Sequence, residues 1–332
     1  MGIGEEVSLT HELAIDPEGA ISAISQRLHE QVCVRLQRRG VVVAMSGGVD
    51  SSVCAGLAVR ALGAKRVFGL FLPEREGDPE SLDLARGWAE TLGIESAIQD
   101  IGPSLAAVGC YERRNEAIRR VVPEFQDGWR CKVVLGGRPW DAEGLNIPYL
   151  VVEFPDGAAR RVRLPAAEYR QIVAATNFKQ RTRKMFEYYH ADRLHYAVLG
   201  TPNRLEYDQG FFVKGGDGLA DVKPIAHLYK TQVYTLAEHL GLPAAIRDRV
   251  PTTDTYSLAQ TQEEFFFGMP LRTLDLVLFA HNQGRDVAAA ARAVGRSEEE
   301  VERAFRDIER RRATTQYLHL HSLLAGPVPE TP

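Results

Sequence analysis

The chain has 332 residues, of which 45% are hydrophobic and 25% are charged, and its formal net charge at pH 7 is −4. This composition predicts a globular protein of one large domain or two smaller ones, and its mild acidity argues against a general nucleic-acid binder, which would carry a basic surface. No run of about 18 apolar residues is present, so we expect no membrane-spanning helix. The acidic stretch 1–20 lacks the pattern of a secretion signal, which predicts a cytoplasmic location.

Strand-like and helix-like segments alternate through much of the chain. The strand-like segments are short and rich in β-branched residues, as expected of strands that are covered on both faces. The predicted elements are, in order, a helix at 20–39, a strand at 41–45, a helix at 51–62, a strand at 67–72, a helix at 80–92, a strand at 96–101, a helix from 104 to about 122, a long helix at 176–194 and a strand at 196–199. This alternation predicts an α/β fold with a doubly wound, mostly parallel sheet and helices on both faces.

Two regions interrupt the alternation. The first is an inserted β-hairpin region at about 123–170, with candidate strands at 132–135, 149–154 and 160–164 and a Pro-Asp-Gly turn at 155–157. The second is a set of three candidate helices at 271–281, 286–294 and 298–312. We therefore predict an α/β domain over 1–270 that carries the insertion, a helical extension over 271–315 and a partly ordered tail over 316–332.

The most informative segment joins the strand at 41–45 to the helix at 51–62, and it reads Ser-Gly-Gly-Val-Asp-Ser. Gly47 and Gly48 permit a tight turn and let a bulky anion approach the backbone. The free amide groups and the dipole of the helix that follows also favour an anion. Further hydroxyl donors are supplied by Ser46, Ser51 and Ser52. The pattern predicts a phosphate-binding loop.

Asp50 is an acid inside this loop, and its charge would repel a phosphate unless a cation lay between them. Mg²⁺ takes carboxylate and phosphate oxygens as ligands, so Asp50 is a candidate metal ligand. A second carboxylate, Glu206, closes the stretch Leu-Gly-Thr-Pro-Asn-Arg-Leu-Glu that follows the strand at 196–199. Ligands of open α/β sheets collect at the carboxyl ends of the strands. We therefore expect Glu206 to share the cation and Thr201 to donate its hydroxyl to a phosphate.

Two other segments are rich in groups that contact ligands. The helix at 176–194 begins with Asn-Phe-Lys-Gln-Arg-Thr-Arg-Lys-Met, and cations at a helix N-terminus cost roughly 0.3–1 kcal/mol each unless an anion is near. A solvated basic face would also explain these cations. The loop at 210–221, Gly-Phe-Phe-Val-Lys-Gly-Gly-Asp-Gly-Leu-Ala-Asp, combines four glycines with a lysine and two acids, which is typical of a ligand-contacting loop.

Taken in chain order, the motifs SGGVDSS, NFKQRTRKM, LGTPNRLE and GFFVKGGDGLAD and the Pro-Thr-Thr-Asp at 251–254 resemble the NAD⁺ synthetase family. The first motif is similar to the pyrophosphate loop of the ATP-pyrophosphatase superfamily, to which that family belongs. The resemblance covers most of the chain. It implies an adenine nucleotide alpha hydrolase-like fold and a carbon–nitrogen ligase that uses ATP to amidate deamido-NAD through an acyl-adenylate, releasing AMP and pyrophosphate.

The resemblance also implies roles for single residues. Asp50, Lys179 and Glu206 would be catalytic, and Asp50 and Glu206 would hold Mg²⁺. The nucleotide would be bound by Ser46, Gly47, Gly48, Asp50, Ser51, Ser52, Thr201 and Thr252, and the dinucleotide substrate by Asn177, Lys214, Asp217 and Asp221. Family members are homodimers, so a homodimer is expected here. Only about 40 residues precede the first strand, too few for a glutaminase domain, so free ammonia is the expected nitrogen donor, with a separate glutaminase left open.

Two departures from the family pattern leave the acceptor carboxylate open. The insertion replaces what is a short connection in many synthetases, and Gln262 replaces an acid in the stretch Gln-Thr-Gln-Glu-Glu at 260–264. The insertion and Gln262 are compatible with a synthetase that carries extra surface elements, and equally with a relative that amidates a different carboxylate. Other functions fit less well. A tRNA-adenylating or sulfur-inserting enzyme would need a cysteine pair or a basic appendage. A DNA-binding role for 286–312 conflicts with the net acidity of the chain. An inactive nucleotide sensor would not need both Asp50 and Glu206.

Overall fold

A computed structural model describes residues 9–136, 147–252, 255–326 and 328. Within them the strands are β1 (Val41–Ala44), β2 (Val67–Phe71), β3 (Glu95–Ile98), β4 (Arg130–Gly136), β5 (Ile147–Glu153), β6 (Ala159–Arg163) and β7 (Ala197–Leu199). The α-helices are α1 (Pro17–His29), α2 (Val49–Leu62), α3 (Pro79–Leu92), α4 (Gly102–Ala107), α5 (Cys110–Arg119), α6 (Ala166–Leu194), α7 (Arg204–Gln209), α8 (Lys230–His239), α9 (Ala244–Arg247), α10 (Leu271–Asn282), α11 (Val287–Val294) and α12 (Glu298–His319).

The main sheet is parallel, in the order β3-β2-β1-β7. Successive side chains of a strand face opposite sides of its sheet. Val41 and Val43 accordingly pack into a core built with α1, α2, α3 and α8, whereas Val42 packs into a second core with α4, α5 and α6. Both faces are therefore covered by helices, which explains the uninterrupted apolar sequence of β1 and confirms the predicted fold class.

Three predicted boundaries differ from the structure. The single helix expected from 104 to about 122 is wrong: Gly109, with φ +73°, separates α4 from α5. The helix predicted over 20–39 is α-helical only to His29 and continues as a π-helical segment, Glu30–Arg35. The long helix α6 begins ten residues earlier than predicted, at Ala166, directly after Pro165. Pro165 precedes the first helical residue, and its ring fixes the backbone angle at the point where the helix starts. The insertion therefore ends at Pro165.

The insertion forms a separate antiparallel sheet in the order β4-β5-β6. Its inward residues, such as Val133 and Leu150, pack with Ile118 of α5 and Ile172 of α6 into a core of their own. The predicted turn after β5 is present, and Gly157 adopts φ +82° there. The expectation of an inserted β region is thus confirmed within the described residues, which leave out 137–146.

The C-terminal helices α10, α11 and α12 pack together into another apolar core, which Leu9 and Leu13 from the start of the described chain join. Helix α12 runs to His319, so the first residues of the predicted tail are helical. Asp275 of α10 is fully buried, and its carboxylate accepts hydrogen bonds from the backbone N–H groups of Lys230 and Thr231 at 3.1 and 2.7 Å. The helical extension therefore caps the N-terminus of α8, where the free N–H groups of a helix need acceptors.

Across the described residues, none of the helices has both the length and the apolar character needed to cross a membrane.

Candidate active site

The predicted phosphate loop lies between β1 and α2, at the point where the strand order reverses between β1 and β7. Such reversal points form the ligand crevice of open α/β sheets. The loop is held by its own serines: the Ser46 backbone N–H donates to Ser51 Oγ at 3.2 Å, and Ser51 Oγ donates to the Gly48 carbonyl at 3.1 Å. Gly48 is the N-cap of α2, so the first amides of that helix remain available to an anion.

Gly47 is required by the packing of this loop. Its φ is +74°, and a Cβ atom added there would lie 2.3 Å from the backbone oxygen of Ser81 at the start of α3. A side chain at this position would therefore be strained and would also push the loop away from α3. The glycine predicted to line a phosphate site thus has a further role in seating the loop.

Two adjoining cavities open at the loop. The smaller one, of about 160 Å³, lies against the loop and is lined by Asp50, Glu206 and Lys230. The larger one, of about 800 Å³, extends from the loop along the carboxyl ends of the strands to α6 and the C-terminal end of α12. Residues shared by the two linings are Ser46, Ser51, Ser81, Thr201, Glu206, Thr252 and Gln262.

The two predicted metal ligands, Asp50 and Glu206, both accept hydrogen bonds from Asn203. Asn203 is almost fully buried; its side-chain amide donates to Asp50 Oδ1 at 3.2 Å and its backbone N–H donates to Glu206 Oε2 at 3.0 Å. Lys230, the first residue of α8, is fully buried and forms an ion pair with Asp50. Asp50, from the loop after β1, and Glu206, from α7 after β7, are thus brought together although 156 positions separate them.

The electrostatics of this cluster suit a cation. Burial and the neighbouring charge of Asp50 raise the pKa of Glu206 to about 8, against the opposing effect of Lys230. Burial tends to lower the pKa of Lys230, but the charges of Asp50 and Glu206 outweigh it and raise that pKa. One ammonium therefore faces two carboxylates, and oxygen ligands are those that Mg²⁺ prefers. Within the described residues, no group of three or more histidine, cysteine, aspartate or glutamate side chains is placed to hold a metal ion.

Lys179 lies on the wall of the larger cavity but its charge is already balanced. Its Nζ is 2.8 Å from Glu74 Oε1 and 2.8 Å from Glu76 Oε2, and its side chain is almost fully buried. Glu76 in turn forms a two-pronged pair with Arg114, and Glu74 accepts a hydrogen bond from the Tyr111 hydroxyl at 2.7 Å. Two cations and two carboxylates thus form a buried, electrically balanced network.

The predicted substrate residues are distributed unevenly. Asn177, Lys214 and Asp217 line the larger cavity, whereas Asp221 lies outside both linings and accepts hydrogen bonds from the Val198 backbone and the Tyr188 hydroxyl. Asp217 accepts from the Val213 backbone N–H at 2.6 Å and so shapes its own loop. Lys214 Nζ donates to the carbonyls of Tyr317 and Leu320, which ties the loop to the end of α12.

Among the predicted nucleotide residues, Thr201 and Thr252 line both cavities. Ser52 does not: its side chain is fully buried in the first turn of α2, and its hydroxyl has no hydrogen-bond partner in the described chain. The last two residues of the Pro-Thr-Thr-Asp motif, 253 and 254, lie outside the described residues.

Sequence reasoning missed three residues of the smaller cavity. Lys230 was detectable in principle, because a lysine at the first position of a helix has the wrong sign for the helix dipole unless acids are near. Arg249, which donates to Ser81 Oγ at 2.9 Å, follows a short helix and carries no local signal. Gln262 was noticed only as a departure from an acidic pattern, yet its side-chain amide donates to Glu206 Oε1 at 3.1 Å.

Comparison with known proteins decides the family. The family model described as NAD synthase matches residues 20–124 and 142–317, and the break between the two matched stretches lies in the insertion. The chain belongs to the NAD synthase family. The predicted family and the predicted class of carbon–nitrogen ligase are thereby confirmed, and ATP is the co-substrate of this family.

Relatives of this NAD synthase family member are similar over nearly their whole length. It is 56% identical over 316 residues to the "NH(3)-dependent NAD(+) synthetase" of Rhizobium rhizogenes, with 95% of each chain covered. It is 54% identical over 319 residues to the protein of that name from Mesorhizobium japonicum, covering 96% of this chain and 99% of the relative. Among solved structures, NMN synthetase from Francisella tularensis has the same fold, with a TM-score of 0.65, 22% identity and coverage of 94% and 99%.

We expect Gly47→Ala to weaken ATP binding by about tenfold, because the strained φ and the contact with Ser81 would displace the loop. Titration calorimetry with a non-hydrolysable ATP analogue measures the effect. Gly93→Ala is the matched control: Gly93 ends α3 with φ +63°, and an added Cβ would meet nothing within 4 Å. The control should lose about 1 kcal/mol of stability and bind the analogue normally. Equal losses of affinity in both variants would contradict the role assigned to Gly47.

A second prediction concerns Glu76. Burial tends to raise its pKa, but the hydrogen bond from Arg114 and the charges of Lys179 and Arg114 lower it to about 2. A folded-state pKa below the unfolded value stabilises the protein above pH 4.5, and this contribution is lost as the pH falls from 4.5 towards 2. Its size is about 3 kcal/mol. Urea unfolding of wild type and Glu76→Gln from pH 7 to 3 should therefore show a stability difference that shrinks with acidity, and a constant difference would contradict the assignment.

Proposed function

We propose that this chain catalyses the ATP-dependent amidation of deamido-NAD to NAD⁺ with free ammonia, releasing AMP and pyrophosphate. The observation that carries the proposal is the convergence of Asp50 and Glu206 on Asn203 beside a glycine-rich loop at the carboxyl end of β1. Two relatives that are 54–56% identical over nearly the full chain are NH(3)-dependent NAD(+) synthetases, which supports both the product and the ammonia donor.

The reaction needs activation because a carboxylate is a poor electrophile. In the first step an oxygen of the substrate carboxylate bonds to the α-phosphorus of ATP, the bond from that phosphorus to the bridging oxygen breaks, and pyrophosphate leaves. In the second step ammonia attacks the acyl carbon, the carbon–oxygen bond to AMP breaks, and a proton is lost to solvent. The first step depends on holding two anionic reactants in line, and the second on holding ammonia against the acyl carbon, so positioning and charge stabilisation are the main tasks of the protein.

The chain's own groups fit this task. The amides at the start of α2 and the hydroxyls of Ser46 and Ser51 would hold the phosphates, and Thr201 and Thr252 line the same cavity. Lys230 and Arg249 line the same cavity, where Lys230 is paired with Asp50 and Arg249 with Asp78 at 2.6 Å. Asp50 and Glu206 would hold Mg²⁺, which when bound offsets the negative charge of the phosphates and of the departing pyrophosphate.

Lys179 is proposed as a catalytic residue on different terms. Its ammonium already donates to Glu74 and Glu76, which leaves one of its three N–H groups for a phosphate. The same two contacts keep the inner wall of the cavity electrically balanced. Asn177, Lys214 and Asp217 are positioned to contact the dinucleotide, whereas Ser52 and Asp221 support the loop and the sheet edge from outside the cavities.

A second candidate function is amidation of a different carboxylate. It is favoured by the insertion, because Tyr256 and Phe265, which line the larger cavity, also pack into the insertion's core. An added wall element of this kind can change the shape of the acceptor site. A homodimeric assembly is proposed from the family resemblance, and the cytoplasmic location stays a prediction from the sequence.

The test is an assay of pyrophosphate release with ammonium across a panel that includes deamido-NAD, nicotinate mononucleotide and simple amino-acid carboxylates. We expect turnover with deamido-NAD, and we expect Asp50→Asn and Glu206→Gln each to lower it at least about a hundredfold while the circular-dichroism spectrum is kept. Asp286→Asn, which alters an exposed cap of α11, is the control with normal turnover. Turnover with another acid alone would establish the second candidate, and near-full activity of either acidic-site variant would refute the metal assignment.

A further inference from the structure

The outer edge of β4 is covered by the segment 255–268, which follows the described part of the Pro-Thr-Thr-Asp motif. The Leu258 N–H donates to the Cys131 carbonyl at 3.1 Å, and the Cys131 N–H donates to Ser257 Oγ at 2.9 Å. Gln260 is buried, and its amide donates to the Val133 carbonyl at 2.7 Å. These contacts give the edge strand of the insertion partners on its open side, where an unpaired edge would otherwise be exposed.

Charge and apolar packing attach the segment to the insertion as well. Lys132 of β4 pairs with Glu264, with its Nζ 2.7 Å from Oε1, and also donates to the Ala259 carbonyl at 3.2 Å. Tyr256 and Phe265 pack edge to face at 5.7 Å between ring centres and join the core of the insertion. The insertion sheet therefore holds this segment along its length.

The same segment reaches the proposed cation site. Gln262 donates its side-chain amide to Glu206 Oε1 at 3.1 Å, while Oε2 of that carboxylate accepts from the Asn203 backbone. The Gln262 backbone N–H donates to Pro251, and Thr252 pairs with Thr261 beside it. Both oxygens of Glu206 are thus oriented, and a neutral amide does so without placing a third negative charge next to Asp50.

We propose that Gln262 is a positioning residue that orients the Glu206 carboxylate for a divalent cation, and that the insertion sheet holds Gln262 in place through β4. The inference rests on the proposed function in one respect: Asp50 and Glu206 must bind the cation together with ATP. The insertion would then contribute to the reaction, although it lies far from the phosphate loop in the sequence.

The first experiment measures Mn²⁺ binding by electron paramagnetic resonance in the presence of α,β-methylene-ATP. Gln262→Met keeps the length of the side chain but removes the donor, and we expect it to weaken Mn²⁺ binding about tenfold, as loss of a charge-assisted hydrogen bond does. Gln262→Asn keeps the amide on a shorter side chain and should fall between Met and wild type. In turnover assays the Mg²⁺ concentration for half-maximal rate should rise by a similar factor, while kcat at saturating Mg²⁺ changes less than about twofold.

Two controls separate this inference from the proposed function. Gln283→Met, at the end of α10 and outside both cavities, should bind Mn²⁺ as wild type does. Asp50→Asn should lose Mn²⁺ binding. If Asp50→Asn binds normally, the cation site itself is misassigned and the inference fails with it; if Asp50→Asn loses binding but Gln262→Met binds like wild type, the inference alone is overturned.

The second experiment tests the insertion. Lys132→Met removes the contacts to Glu264 and Ala259, so backbone amides in 257–265 should exchange with deuterium faster and Mn²⁺ binding should weaken about threefold, the scale of a partly exposed ion pair. If the effect passes through Gln262, the double variant Lys132→Met/Gln262→Met binds Mn²⁺ no more weakly than Gln262→Met alone. Additive losses, or unchanged exchange, would overturn the part assigned to the insertion.

Discussion

The site depends on keeping two carboxylates close together at the end of a parallel sheet. Asp50 and Glu206 follow β1 and β7, and the parallel pairing of these strands brings both acids to one edge. Like charges in partly buried surroundings repel each other. Lys230 reduces this repulsion by pairing with Asp50, and Asn203 donates to both acids. Burial and, after it, the charge of Asp50 still raise the pKa of Glu206. Under the proposed function, a divalent cation bound together with the phosphates would offset the charge of both acids.

Two groups of buried charges at the inner wall of the larger cavity are balanced within the protein. Lys179 and Arg114 offset Glu74 and Glu76, and Lys184 pairs with Glu187 at 2.7 Å. Breaking one member of a buried pair is costly, so these networks fix the shape of the inner wall whether or not a ligand is present. At the phosphate loop, by contrast, Asp50 and Glu206 face a single ammonium within the described chain, that of Lys230. The paired wall is therefore formed without a ligand, whereas the charge at the loop would be balanced only when a cation binds.

The sequence predicted a secondary-structure element correctly where its hydrophobic pattern matches the way that the element packs in the fold. The apolar β1 predicted a strand covered on both faces, which is confirmed. The chemistry of the motifs also predicted that Asp50 and Glu206 lie close together, and both contact Asn203, whereas their role as metal ligands stays a prediction. Lys230, Arg249 and Gln262 were not, because their roles arise from contacts between segments far apart in the chain. The helix break at Gly109 was missed for a related reason: a glycine inside an apolar pattern does not reveal whether its φ is positive.

Asp275 links the helical extension to catalysis without entering the cavity. Its carboxylate lies in the C-terminal helices, yet it accepts from the backbone of Lys230, the residue that pairs with Asp50. A truncated chain lacking α10 would therefore leave two amides at the start of α8 without acceptors and would loosen the ammonium at the phosphate loop. The helical extension and the α/β core are therefore joined by buried hydrogen bonds, so a truncation that reaches α10 would also disturb the loop after β1, although the sequence places the two in separate segments.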